Sequence, residues 1–304
     1  MNNPLVLETA VKAPLSNYAL IRVSGEGAES FLQGQLTCNV KLLNEKNDSI
    51  LGAHCNNKGR IRALYRIFKH DSAFYLRCPA QHAEKALSFL QFYGKFSKVT
   101  FAILPAKGFG IILPKNGHLP SDQHYNVLQV KGTDEWDRFE IYSNNPAPAQ
   151  TLTPDPLTEW LSTLPTISKD QWQLSEILAG IPEIWPETCE QFLPHYIGLP
   201  ALGAVHFDKG CYIGQEIIAR MQYRSKQQKY ELRQVVLPLD NIVPPALIHG
   251  DSLGPGDSLA DGSVIVSIAP PIARPEEAEG RLEGLYALIL KKSLRDGNFV
   301  ASSG

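Results

Sequence analysis

Apolar and polar residues alternate with a period of two along Tyr18–Val23, which predicts a strand with one buried face. After the turn Ser24-Gly-Glu-Gly27 the spacing changes: Phe31, Leu32 and Gln35 fall at helical intervals within residues 28–36. Gly34, inside this predicted helix, points to a close packing neighbour or a bound group. From Ser49 the pattern is again β, with strands predicted over Ile50–Cys55, Arg60–Lys69 and Ala73–Cys78. Asn56-Asn57-Lys58-Gly59 is a strong hairpin turn and His70-Asp71-Ser72 a weaker one. The second of these strands carries Arg60, Arg62, Arg66 and Lys69 between apolar residues, as either a solvated sheet face or an anion-binding patch. Pro79 opens an amphipathic helix through Tyr93, and strands follow at Lys98–Leu104 and Gly108–Leu113.

Residues 114–135 are polar and predict a loop around one short strand, followed by a strand at Trp136–Tyr142. Asn144–Pro156, with four prolines, reads as a linker. Ser168-Lys-Asp-Gln171 fits a capping box, and the helix it starts ends at Gly180-Ile-Pro182. Trp172 in that helix is either a core anchor or a platform for a ring-shaped ligand. A further helix over 213–226 places Arg220 and Arg224 on one face, a cradle for carboxylates or phosphates or else a solvated surface. Beyond Lys229 short strands return at 229–237, 246–249, 263–268 and 283–292, suggesting a small barrel or sandwich. The rhythm as a whole is α+β, in more than one domain.

Composition narrows the function classes. The 304 residues are 43% hydrophobic and 20% charged, with a net charge of −2, so nucleic acid or an anionic membrane would have to be held by a local patch. Residues 1–16 have neither a basic leader nor an apolar core, and the five scattered cysteines suggest a reducing compartment, hence the cytoplasm. There is no P-loop, no dinucleotide fingerprint and no serine-hydrolase elbow. Cys189, His195, His206 and Cys211 lie within 23 positions, but their spacing matches no common zinc pattern.

The most informative stretch is Lys209-Gly-Cys-Tyr-Ile-Gly-Gln-Glu216. Gly210 and Gly214 permit a sharp turn and a close backbone approach. Cys211 precedes a predicted helix N-terminus with Lys209 nearby, and both the dipole and the cation favour a thiolate. The bland alternative is a tight turn whose cysteine is a small buried hydrophobe.

Those eight positions resemble the K-G-C-Y-[IT]-G-Q-E signature of the YgfZ family, folate-binding relatives of the glycine-cleavage T-protein, an aminomethyltransferase. Phe31-Leu-Gln-Gly-Gln-Leu-Thr37, His54-Cys-Asn-Asn-Lys-Gly59, Ala179-Gly-Ile-Pro182, Phe192-Leu-Pro194 and Ala201-Leu-Gly203 match further family elements in order. The resemblance implies a T-protein-like arrangement ending in a small C-terminal β-barrel. It divides the chain into a folate-binding domain (1–48 plus 114–228), an inserted α+β domain (49–113) and the barrel domain (229–304). It further implies tetrahydrofolate or a related reduced folate as cofactor, and a role in assembling or maintaining iron–sulfur clusters for tRNA-modifying (methylthiolating) radical enzymes. Partners would be iron–sulfur assembly proteins or cluster-dependent client enzymes, with no direct nucleic-acid or membrane binding. On the family pattern Cys211 is the functional thiol, with Lys209 beside it; the chain offers no metal site of its own, and the open alternative is that Cys211 lends one ligand to a transient cluster shared with a partner. Gly210, Tyr212, Gly214, Gln215 and Glu216 complete the motif. Tyr18 and Trp172 would wall the pterin, and Arg220 and Arg224 would meet the folate's carboxylates or a partner's acidic groups.

Two departures matter. Where true aminomethyltransferases carry an acidic pair, this chain has Arg62 and Ala63, which argues against aminomethyl transfer. A one-carbon transferase acting on another substrate is the alternative reading. Where relatives often place a glutamate before Ala-Gly, this chain has Leu178, so the pterin's polar edge needs other partners.

Overall fold

The computed structural model describes residues 7, 9–43, 48–120, 125–143, 156–224, 230–237, 255–259, 263–269 and 285–292. Strands β1 (Val11–Pro14) and β2 (Tyr18–Ser24) precede helix α1 (Ala28–Gln35). β3 (Ile50–Cys55), β4 (Ile61–His70) and β5 (Ala73–Pro79) form two successive hairpins and lead into α2 (Ala83–Gly94). β6 (Thr100–Pro105), β7 (Gly108–Pro114), β8 (Tyr125–Val130) and β9 (Trp136–Ser143) follow. Then come α3 (Pro156–Thr163), α4 (Lys169–Leu178) and α5 (Gln215–Arg224), and finally β10 (Tyr230–Leu237), β11 (Val264–Ala269) and β12 (Leu285–Lys292).

The strands build three antiparallel sheets, ordered β3-β4-β5-β2-β6, β1-β7-β9-β8 and β10-β12-β11. Alternation along each strand decides what each face meets. Ala63, Tyr65 and Ile67 of β4, with Ile21, Val23, Phe74 and Leu76, pack under α1 and α2. The opposite face, with Tyr18, Leu20, Leu64 and Phe68, meets Ile112, Trp136 and Tyr142 of the second sheet, and α4 contributes Trp172, Leu174 and Ile177. The far side of the second sheet is covered by Leu157 and Leu161 of α3. Val266 of β11 and Leu288 and Leu290 of β12 join the central cluster, so the third sheet packs against the same core.

Several expectations change. The sheets do not follow the expected domain boundaries: β2 hydrogen-bonds to β5 and β6 of the 49–113 region, while β7 pairs with β1 and β9. The described part of the C-terminal region is an open three-stranded sheet, and no closed barrel is formed among the described residues. Arg66 is not on a solvated face but buried between two sheets. A side chain at Gly34 would meet no atom within 4 Å, so packing does not explain that glycine. The linker reading covered Pro156, which instead begins α3, a helix with Leu157, Trp160 and Leu161 on its inner side. Residues 144–155, the predicted strand 246–249 and Lys226 lie outside the described residues.

Candidate functional site

Motifs far apart in the sequence converge at the start of α5. Lys209 is the first tie: its Nζ donates to the carbonyls of Gln33 (2.6 Å), Leu36 (2.7 Å) and Cys38 (2.7 Å). Carbonyls at a helix C-terminus lack partners in the helix itself, and an ammonium placed there satisfies them and suits the dipole. Thr37 is the second tie. Its amide and hydroxyl pair with the Ala53 carbonyl and amide (both 2.9 Å), its hydroxyl donates to the Ala204 carbonyl (2.6 Å), and its carbonyl accepts from the His206 amide (2.9 Å).

Gly214 is the third. With φ at +82° it sits where glycine is favoured, and a Cβ there would lie 2.5 Å from the Asn56 carbonyl oxygen. Gly59, also at positive φ (+71°), rests against Ile217 of α5. The hairpin turn at 56–59 and the signature loop are thus fitted to each other through two glycines.

Cys211 projects from this anchored loop. Of the five cysteines it alone is exposed; Cys38, Cys55 and Cys78 are buried and Cys189 half-buried. Burial pushes the Cys38 and Cys78 thiols up to about 12 and raises those of Cys55 and Cys189 as well. Accessible thiol chemistry therefore belongs to Cys211. Gly210 and Glu216 are exposed beside it, Gln215 is half-buried, and Tyr212 is buried with the Lys209 ammonium 5.1 Å from its ring centre. The structure gives Lys209 a different task from the one its spacing suggested. Its ammonium is taken up by three carbonyls, and burial lowers its pKa to about 8. It holds the loop in place rather than serving as a free cation for Cys211.

Arg220 and Arg224 are exposed on α5. No hydrogen bond among the described residues joins Cys211 to His206, and no three His, Cys, Asp or Glu side chains gather there as a metal cage. Sequence reasoning missed Glu190. It adopts φ +63°, its carboxylate accepts from Arg62 (2.8 Å) and from Asn56 Nδ2 (3.1 Å), and its amide donates to the Ile61 carbonyl (2.7 Å). The Arg62 hydrogen bond holds its pKa below the usual carboxylate range.

A second constellation lies buried between the two large sheets. Arg66 of β4 and Arg77 of β5 face Arg138 and Glu140 of β9, with Glu176 of α4 and Glu183 beyond it. Glu176 Oε1 contacts Arg66 (3.4 Å), Arg77 (3.3 Å) and Arg138 (3.0 Å), and Arg77 NH1 reaches Glu183 Oε1 at 3.2 Å. Despite its burial, the three arginines lower the Glu176 carboxyl to about 2. Six charges balance as three pairs, which is how such groups are tolerated in a core.

This arrangement revises the role expected of Tyr18 and Trp172. Both are buried, with the Arg77 guanidinium 3.9 Å from the Tyr18 ring centre and that of Arg138 4.4 Å from Trp172. The Trp172 ring also fills the space that a side chain at Gly110 would need. Both rings are enclosed posts of the ion network, stacked on guanidinium groups, and a pterin has no open ring face on either of them.

A narrow cleft borders this network between β4, β5 and Ile181-Pro182-Glu183, with a volume of about 10 Å³, room for about one water. The helix stop positions that segment. Gly180 takes φ +68°, its amide donates to the Ile177 carbonyl (2.9 Å), and the Ile181 amide to that of Glu176 (3.0 Å), a Schellman closure.

The layered sheets and the tied motifs define the class. The fold is that of the glycine-cleavage aminomethyltransferases: the enzyme of Bartonella henselae superposes with a TM-score of 0.57 over 93% of this chain and 78% of its own, at 16% identity. No family model matches the chain. Among curated relatives, "tRNA-modifying protein YgfZ" of Colwellia psychrerythraea is 33% identical over 71% of this chain and 68% of its own length. The Escherichia coli protein of the same name is 32% identical over 74% and 70%, and an uncharacterized Haemophilus influenzae protein 33% over 71% and 70%. The chain belongs to the YgfZ family.

Proposed function

We propose that this chain is a folate-binding accessory protein for the assembly or maintenance of iron–sulfur clusters, supporting enzymes that modify tRNA. The observation that carries this reading is the single exposed cysteine, held on an anchored loop in a chain whose relatives are named for tRNA modification. An exposed thiol on an anchored loop is suited to ligating a cluster in transit or exchanging with a client's thiols; the remaining ligands of such a cargo come from the partner. Iron–sulfur assembly proteins and cluster-dependent clients are the partners this chemistry suits.

Reduced folate belongs to this reading through the family resemblance: Tyr18 and Trp172 are buried, and the cleft beside the ion network has room for little more than one water. Folate, when bound, supplies a one-carbon unit or reducing equivalents. This chain's own residues bind and orient it.

Aminomethyl transfer is disfavoured by local geometry. Arg62 is ion-paired to Glu190, whose lowered pKa keeps it ionised and bonded at neutral pH, so neither group is poised to shuttle a proton. The test is complementation. In a bacterial strain lacking its YgfZ-family protein, this chain should restore methylthiolated nucleosides in tRNA, read by mass spectrometry. Normal expression without any recovery would count against the proposal.

A further inference from the structure

Between α4 and α5 the backbone takes a positive φ at Gly180, Gly198, Gly203 and Gly214, where glycine is at ease, and at one other residue, Glu190 (+63°). A side chain at such a position is strained, and it persists only where its surroundings require it. The ion pair with Arg62 does not repay that strain by itself. The Glu190 side chain is 41% exposed, and a pair so open to water contributes little stability. What sets Glu190 apart is what its carboxylate reaches.

Glu190 Oε1 accepts from Arg62 Nε (2.8 Å) and from Asn56 Nδ2 (3.1 Å). Arg62 is itself fixed: its guanidinium lies 4.6 Å from the Phe89 ring centre, and its carbonyl contacts His82 Nε2 at 2.7 Å. Backbone bonds from the Glu190 amide to the Ile61 carbonyl (2.7 Å) and from the Ile61 amide to the Phe192 carbonyl (2.9 Å) run segment 190–192 along the start of β4. Asn56 uses the other end of its side chain to close the hairpin turn, with Oδ1 accepting from the amides of Lys58 (2.9 Å) and Arg60 (3.0 Å). Its Nδ2 is the donor left over for Glu190. The Asn56 backbone carbonyl is in turn the atom against which Gly214 fits, 2.5 Å from where a Cβ would stand. Contacts therefore run unbroken from Arg62 through Glu190 and Asn56 to Gly214, three residues beyond Cys211.

We infer that Glu190 is a positioning residue for Cys211: its carboxylate holds Asn56, and with it the 56–59 turn, in the place to which Gly214 and the signature loop are fitted. The effect on function rests on the reading of Cys211 given above; the effect on the loop does not.

Hydrogen exchange of the full chain over residues 56–60 and 210–218 tests the inference, with urea unfolding and the recovery of methylthiolated tRNA nucleosides measured alongside. Glu190→Gly removes the carboxylate and relieves the backbone, so its urea midpoint should stay near that of wild type. Both segments should nevertheless exchange at least about tenfold faster, the scale of one lost hydrogen bond to a charged group, and nucleoside recovery should fall at equal expression. Glu190→Gln keeps an acceptor for Asn56 Nδ2 and should restore most of the slow exchange, which a role of the charge alone would not allow. Asn56→Asp keeps the acceptor that closes the turn and removes the donor to Glu190. It should match Glu190→Gly, and it decides the matter if that variant fails to fold. Exchange and recovery within twofold of wild type in both variants would overturn the inference and leave Cys211 as the functional thiol. Faster exchange with full recovery would also overturn it if Cys211→Ala recovers nothing. If Cys211→Ala recovers fully as well, the hold on the loop stands and the reading of Cys211 falls.

Discussion

The signature loop and the inter-sheet ion network use the same residue types in opposite ways. At the loop, Lys209 and the glycines satisfy and fit backbone, and they leave Cys211 outside in solvent. Between the sheets, arginines and glutamates satisfy one another and draw Tyr18 and Trp172 inside. The exposed thiol sits where the scaffold is already complete without it; charge is buried where the scaffold depends on it. Removing a side chain should therefore cost stability in the network and function at Cys211, with Lys209 between the two.

The largest effect is expected in the network. Glu176→Ala leaves three buried arginines short of a carboxylate and should cost about 3–5 kcal/mol, measured by urea unfolding. A loss below about 1 kcal/mol would mean that the ion set is dispensable and the contrast fails. Lys209→Met strands three carbonyls at the end of α1 and should cost on the order of 2 kcal/mol. If stability were unchanged while activity vanished, Lys209 would act on the chemistry itself and not on the loop's position.

His54 provides a pH axis. It is buried edge-on to Phe89 and Tyr93, and burial lowers its pKa to about 3 against 6.5 for an ordinary histidine. The unfolded chain takes up a proton below pH 6.5 that the folded chain refuses until about pH 3. The stabilising contribution is complete above 6.5 and is lost on acidification, at about 1.4 kcal/mol per pH unit across that window. Denaturant titrations at pH 5.5 and 4.5 should show this slope in wild type and lose it in His54→Leu; equal slopes would mean that His54 is not the group that titrates. The smallest effect belongs to Cys211→Ala, expected to change stability by less than about 0.5 kcal/mol because the side chain is exposed.

The two regions also differed in how far the sequence revealed them. The capping box at Ser168 formed as the pattern implied, with both reciprocal bonds, because it is a local device. The signature turn was legible for the same reason: positive φ at Gly214 and at Gly59 belongs to contiguous glycine-containing segments. The ion network was not. Arg66, Arg77, Arg138, Glu140, Glu176 and Glu183 come from four separate elements and the segment after one of them, and an arginine on a strand reads as solvated until its opposite sheet is known. The available hint was positional, since Arg66 shares its strand face with Leu64 and Phe68. Helix α3 was a different kind of miss, because its apolar spacing was visible but the prolines before it suggested a linker.

The central claim is that Cys211 is the functional group and that the rest of the loop exists to hold it. It is tested by expressing wild type and Cys211→Ala at equal levels in a strain lacking its YgfZ-family protein and quantifying methylthiolated nucleosides in its tRNA. Full recovery with wild type and recovery at background with Cys211→Ala, a variant that unfolds like wild type, is the expected result. Recovery with Cys211→Ala equal to wild type would contradict the account.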